Sequence, residues 1–251
     1  MDRSVAIKTA GLTKEFALNK KVLNGIDLEV KKGELYCLVG ANGAGKTTLI
    51  KLLCNLILPT AGEIFINGYN MLQDSEKARS SIGLVTGDER SFYWRLTGRQ
   101  NLEFFAALYN LSHRMIKKKT QELFGLLAIE EPDKVFQEYS SGVKQRLSIA
   151  RALLNNPEVL FMDELTKNLD PKSAEDLRLF IKNTLVKNDG KTVFFSTHQL
   201  YEVEKLAGRV AFVSKGKIVT EGPPGELKKN SGNENATIEQ LYDYFITKRG
   251  F

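Results

Sequence analysis

The 251-residue chain predicts an α/β fold: a core with a mostly parallel sheet, an N-terminal antiparallel β portion, and an inserted helical lobe. Three observations carry that prediction. The apolar run Leu35-Tyr36-Cys37-Leu38-Val39 passes through a glycine-rich turn into a helical pattern that opens on Lys46-Thr47-Thr48. Two more apolar runs, at 159–162 and 193–195, end in polar residues, as buried parallel strands do where they meet a ligand edge. Between the first of these strands and the last two, residues 98–155 carry helical periodicity with no convincing strand.

The elements follow in order. Val5-Ala6-Ile7 starts a strand, Ile26-Asp27-Leu28-Glu29-Val30 alternates apolar and polar residues, and Gly33 turns the chain into the strand at 35–39. A helix is expected over 46–57, with Leu49, Ile50, Leu52, Leu53 and Leu56 apolar and with Pro59 and Gly62 as stops. Glu63-Ile64-Phe65-Ile66 reads as a strand before the turn dipeptide Asn67-Gly68, and Ile82-Gly83-Leu84-Val85 as another. Leu102, Phe105, Ala106 and Tyr109, then Leu123, Leu126 and Leu127, mark the helical lobe, placed at about residues 87–157. Strands resume at 159–162, 193–196, 210–213 and 217–219. Glu221-Gly222-Pro223-Pro224-Gly225 reads as a linker. That divides the chain into a domain at 1–222 and a short C-terminal extension at 223–251. One helix is expected in the extension, behind the capping box Thr237-Ile238-Glu239-Gln240.

Composition narrows the function classes. At 42% hydrophobic and 26% charged residues, the chain has the balance of a soluble globular protein. No apolar stretch approaches the roughly 18 residues needed to span a bilayer, and Met1-Asp2-Arg3-Ser4-Val5 has no signal-peptide core. A cytosolic location is expected. Cys37 and Cys54 read as small buried hydrophobes, and the two cysteines and two histidines have no zinc spacing. The net charge of +6 comes from lysines scattered along the chain in short clusters such as Lys117-Lys118-Lys119, the pattern of a solvated surface, so no nucleic-acid partner is expected.

Residues 40–48, Gly-Ala-Asn-Gly-Ala-Gly-Lys-Thr-Thr, fit the phosphate-binding loop G-x-x-x-x-G-K-[ST]. Without Cβ atoms, Gly40, Gly43 and Gly45 let the backbone curl and turn its N–H groups inward. The helix that follows aims its positive end at the same point. Ala41, Asn42, Ala44 and Thr48 complete the cradle, Lys46 reaches the β- and γ-phosphates, and the Thr47 hydroxyl holds Mg²⁺. Asp163 and Glu164, at the end of the apolar strand 159–162, supply a second Mg²⁺ ligand and a group that orients or deprotonates the attacking water. His198 follows the strand at 192–197 and could bond the γ-phosphate or that water. Ser140 or Ser141 can cap the amphipathic helix at 143–154, and with Gly142 the same helix end could take an anion. Local physics leaves both readings open.

The full set resembles the nucleotide-binding subunit of an ABC transporter. Residues 40–48 look like Walker A, and Leu160-Phe161-Met162-Asp163-Glu164 like Walker B. Tyr139-Ser140-Ser141-Gly142-Val143 stands at the signature position, Lys167-Asn168-Leu169-Asp170 at the D-loop, and His198 at the switch histidine. The resemblance runs over residues 5–222. It implies ATP and Mg²⁺ as ligands, with Phe16 stacking on adenine. It also implies two such subunits sharing two ATP molecules, each phosphate loop facing the other subunit's Ser140 and Gly142. Residues 91–109 resemble the exporter branch, whose ATP-binding subunit lies peripherally at the inner face of the cell membrane and works through a separate transmembrane permease. The bulky run Phe92-Tyr93-Trp94-Arg95-Leu96 is expected to be either a docking surface for that permease or core between the two lobes. An ABC-type ATPase serving a ribosome, DNA or cluster-assembly machine is the competing reading.

Three departures from the family pattern stand out. Tyr139, Ser141 and Val143 replace the usual Leu, Gly and Gln of the signature, and Leu165 replaces the Pro after Walker B. The glutamine loop, Thr86-Gly87-Asp88-Glu89-Arg90, has no Gln. Asp88, nearest the strand end, is the expected replacement metal ligand.

Overall fold

A computed structural model describes residues 4–17, 20–87, 91–167, 169–206 and 208–246. The N-terminal strands β1 (Val5–Phe16) and β2 (Lys20–Lys31) pair antiparallel. With β4 (Ala61–Ile66) and β5 (Tyr69–Asn70) they form a sheet of order β2-β1-β4-β5. The central sheet holds β3 (Leu35–Val39), β6 (Ile82–Thr86), β7 (Val159–Asp163), β8 (Thr192–Thr197), β9 (Arg209–Ser214) and β10 (Lys217–Gly222), in the order β10-β9-β3-β8-β7-β6. Its pairings are parallel except at the β9–β10 edge.

The continuous apolar runs are explained by burial on both faces of this sheet. Alternate residues of each strand enter different cores. Leu35, Cys37, Val39, Leu160, Met162, Val193, Phe195, Val210 and Phe212 pack on the side of the helical lobe. Tyr36, Leu38, Val159, Phe161, Phe194, Ala211 and Val213 pack toward the antiparallel sheet. Both cysteines are buried and free.

Helix α1 (Lys46–Leu53) is shorter than the sequence pattern suggests. Cys54 caps it through its N–H to the Ile50 carbonyl, and Asn55 turns left-handed at φ 54°, a helix-ending conformation that Asn tolerates. Leu56 therefore leaves the helical face and is exposed. After α2 (Ser75–Ser80), the region between β6 and β7 holds α3 (Gly98–Leu108), α4 (His113–Leu126), a 3-10 turn at Phe136–Glu138, and α5 (Ser141–Leu153). Thr97 and Gln100 form a capping box at α3, and Ser112 and Ser140 cap α4 and α5.

After β7, α6 (Pro171–Leu179) continues into a π-helical stretch, Phe180–Asn188, and α7 (Leu200–Leu206) follows β8. The C-terminal stretch differs from the sequence reading. Glu221 and Gly222 belong to β10, and Pro224 opens α8 (Pro224–Ser231), where its missing N–H costs nothing. The segment read as a linker thus belongs to β10 and α8, and the described residues after 222 hold two helices rather than one. The second, α9 (Ile238–Ile246), starts at the expected box: Thr237 Oγ1 accepts from the Gln240 amide at 3.2 Å and Gln240 Oε1 from the Thr237 amide at 3.0 Å. It buries Ile238, Leu241 and Phe245 against the sheet.

Candidate active site

The phosphate loop leaves the C-terminal end of β3, between β8 and β9. Its glycines are there for space as well as for curvature. A Cβ on Gly40 would lie 2.4 Å from the Val213 carbonyl oxygen, and one on Gly45 2.6 Å from Leu23 Cδ2. Gly43 and Gly45 have φ of 82° and 106°, which L side chains rarely adopt. Lys46, at the first position of α1, is only 5% exposed. Its Nζ donates to the carbonyls of Gly40 at 2.7 Å and Ala41 at 3.1 Å. Burial pushes this ammonium below its ordinary range, against the pull of Glu164 and Asp163.

Thr47 Oγ1 donates to Asp163 Oδ2 at 2.8 Å, and Ser196 donates to the other Asp163 oxygen. This is one carboxylate and one hydroxyl at the end of the sheet. Such hard oxygen donors fit Mg²⁺ when phosphate oxygens and water complete the octahedron. Asp88, expected as a further ligand, lies outside the described residues.

Glu164 follows β7 in a left-handed backbone conformation, φ 49°. Its side chain is one-fifth exposed and is held at both oxygens: His198 Nδ1 lies 3.0 Å from Oε1, and Lys167 Nζ 3.2 Å from Oε2. Burial pushes this carboxyl up, but the His198 and Lys167 contacts outweigh it and hold the group below the usual carboxylate range. Leu165 is 4% exposed, so core packing anchors the turn where the family has proline.

Beneath this pair lies a buried network that sequence reasoning missed. Glu202, on α7, is 3% exposed. One of its oxygens accepts from Thr166 Oγ1 and the other from Thr197 Oγ1 at 2.6 Å, with Arg178 Nη1 3.7 Å away. Burial pushes the Glu202 carboxyl above its ordinary value. The available signal was an acid sharing a helical face with Val203 and Leu206.

Ser140 stands elsewhere. Its Oγ accepts from the Val143 amide at 3.4 Å as the cap of α5, so Ser140, not Ser141, fills that position. It borders an open concavity of about 280 Å³ with Gly142, Val143, Arg146 and Ser173, and none of the residues lining it belongs to the phosphate loop. Tyr139 fits where leucine is usual because Gly98 makes room: a Cβ there would lie 2.3 Å from the Tyr139 hydroxyl, which donates to the Glu131 carbonyl at 2.6 Å.

Phe16 is 44% exposed, with Lys14 Nζ 4.9 Å from its ring centre. It lies at the phosphate-loop end of the antiparallel sheet, since Lys14 pairs with Leu23, the residue that packs on Gly45. The aromatic run at 92–94 is divided. Phe92 is buried and stacks on Phe136 at 4.7 Å, whereas Tyr93 and Trp94 are about half exposed, at 50% and 48%. Asn101, also unforeseen, pins the Tyr93 backbone from both sides, at 2.8 and 3.0 Å.

Residues 23–167 match the family model described as ABC transporter. The chain belongs to that family. Among its relatives, the bacitracin transport ATP-binding protein BcrA of Bacillus licheniformis is 39% identical over 228 residues, covering 91% of this chain and 73% of that protein. The daunorubicin resistance ATP-binding protein DrrA3 of Streptomyces coeruleorubidus is 35% identical over 234 residues, covering 93% and 73%. A solved dimer of the ATP-binding cassette MJ0796, in a post-hydrolysis state bound to ADP and Pi, superposes with a TM-score of 0.77 at 27% identity, covering 86% of this chain and 98% of that one. This ABC domain is therefore an ATP-binding ATPase with the family's α/β core.

Proposed function

We propose that this ABC ATPase powers export of a substrate through a separate permease, working as a pair of such domains at the cytoplasmic face of the membrane. Residues 1–222 form the ATP-binding domain, with its helical lobe at about 87–157, and residues 223–251 are an extension. The observation that carries the proposal is the placement of Glu164 and His198 beside the Thr47–Asp163 pair at one end of the sheet.

The phosphate loop and Lys46 bind the phosphates of ATP, and Phe16 stacks on the base. Thr47 and Asp163 would hold Mg²⁺, which would supply charge neutralisation at the phosphates. Glu164, kept ionised by its neighbours, accepts a proton from the attacking water, and His198 orients that carboxylate. Because Ser140 and Gly142 line a different concavity, one chain carries half of each site. A second subunit would bring its own Ser140 helix end to the γ-phosphate. Transport, rather than service to another machine, is supported by the relatives named for bacitracin transport and daunorubicin resistance. The permease would contact exposed Tyr93 and Trp94 and the neighbouring groove lined by Leu56, Leu84, Phe105, Leu108 and Tyr109.

Glu164→Gln tests the chemical core of this reading. The variant keeps its shape but loses the base, so turnover should fall by about 10²–10⁴-fold while ATP still binds and a nucleotide-dependent dimer accumulates in size-exclusion chromatography. Turnover equal to the parent's would remove Glu164 from the mechanism.

A further inference from the structure

We infer that Tyr242, in the C-terminal extension, is a positioning residue of the nucleotide site and sets the affinity of the phosphate loop for ATP. The inference rests on the assignment of residues 40–48 as the ATP-binding loop. Tyr242 Oη accepts a hydrogen bond from the backbone N–H of Ala41 at 3.1 Å, across 201 residues of sequence. The same residue's carbonyl accepts from Lys46 Nζ at 3.1 Å. Ala41 is thus held at its N–H and at its carbonyl, in two successive peptide units, at the root of the phosphate loop.

Helix α9 can hold that grip because it is itself anchored. The Tyr242 ring meets Phe212 edge-on, with ring centres 5.5 Å apart, and Phe245 lies 6.3 Å from the same ring. Phe212 immediately precedes Val213, whose carbonyl lies close enough to Gly40 to exclude a Cβ. The α9 N-terminus is tied to α7 by the Ile238 amide donating to Glu204 Oε1 at 3.1 Å. From the other side, the β9–β10 turn donates its Gly216 amide to the Ala44 carbonyl at 3.2 Å. The extension therefore supplies one of the fixed points on which the loop is strung. A loop held in its binding shape has less conformational freedom to lose when ligand arrives, and removing a fixed point lowers affinity without touching the reacting atoms.

Tyr242→Phe removes the acceptor and leaves the ring packing. Three measurements on the full chain decide the matter: ATP affinity by calorimetry, the exchange rate of the Ala41 amide by NMR, and steady-state ATPase kinetics. Loss of a neutral hydrogen bond of ordinary strength predicts a dissociation constant for ATP about two- to tenfold higher. It also predicts faster exchange at Ala41, a raised KM and an unchanged kcat. A parent-like affinity would overturn the inference, and so would faster exchange spread throughout α9 rather than at Ala41, which marks a merely structural role. Lys46→Ala, measured alongside, tests the underlying assignment separately. If that variant binds ATP as the parent does, the loop is not the ATP site; if it loses most affinity, the Tyr242 result stands on its own.

Discussion

Truncating Glu202 to alanine separates support of Glu164 and His198, the proposed catalytic pair, from nucleotide binding. The carboxylate is the acceptor for two hydroxyls, Thr166 and Thr197, which are 7% and 1% exposed. A buried donor left without its acceptor costs about 1–3 kcal/mol. Thr197 Oγ1 still accepts from the Gln199 amide at 2.9 Å, and Arg178 keeps a two-point contact with Glu175 at 2.8 and 3.1 Å, so neither group is stranded entirely. Glu202→Ala should therefore lower unfolding free energy by about 3 kcal/mol, at the low end of the 3–5 kcal/mol typical of a broken buried ion pair. Glu202→Gln, which can accept from one hydroxyl and donate to the other, should cost about 1 kcal/mol. The kinetic effect follows from sequence position. Thr166 lies two residues after Glu164 and Thr197 one before His198, so Glu202 clamps both arms of the catalytic pair. Loosening them should lower kcat of Glu202→Ala by about 10–100-fold, the scale of a sub-ångström to ångström misplacement. KM for ATP should change little, because the phosphate loop is untouched. Urea unfolding and steady-state ATPase assays at saturating protein would measure both. A stability loss under about 1 kcal/mol, or a rise in KM with kcat intact, would refute the reasoning.

Two other perturbations probe the surroundings of the site. Lys167→Met removes one of the two contacts that hold the Glu164 carboxyl down against its burial. A depressed carboxyl loses its function only as pH falls through its folded value, so the acid limb of the kcat profile should move to higher pH in the variant; an unmoved limb would show that Lys167 does not bear on the base. Trp94→Ala should leave ATPase activity of the isolated subunit intact and weaken co-purification with the permease, since the ring is half exposed and Lys144 lies 5.6 Å from its centre. Unaltered co-purification would remove Trp94 from the docking surface.

The elements that meet at the candidate nucleotide site were legible because their signals are local. A strand–glycine turn–helix pattern needs no distant partner to be recognised, and apolar strands ending in Asp163-Glu164 or Thr197-His198 declare a sheet edge from their own composition. What escaped notice depends on contacts far apart in sequence. Glu202 looks like an ordinary helical acid until Thr166 and Thr197 are seen folded against it. Tyr242 looks like one aromatic among several on an amphipathic helix until α9 is laid beside the phosphate loop. The expected run of 46–57 as one helix failed at Asn55, where a left-handed residue ended it four positions before Pro59. The pair of prolines at 223–224 misled in the opposite direction, since Pro is favoured at a helix start as well as in a linker.

The left-handed backbone at Glu164 places stability and turnover in opposition. Among L residues, asparagine accepts that region far more readily than glutamate, and glycine accepts it without strain. The conformation costs on the order of 1 kcal/mol that a different residue would not incur. On backbone grounds alone Glu164→Gly and Glu164→Asn suit the turn better, and each lacks the carboxylate that His198 and Lys167 hold. With Glu164 as the proposed base, a heat-based sort that leaves this position free to vary has to score hydrolysis as well.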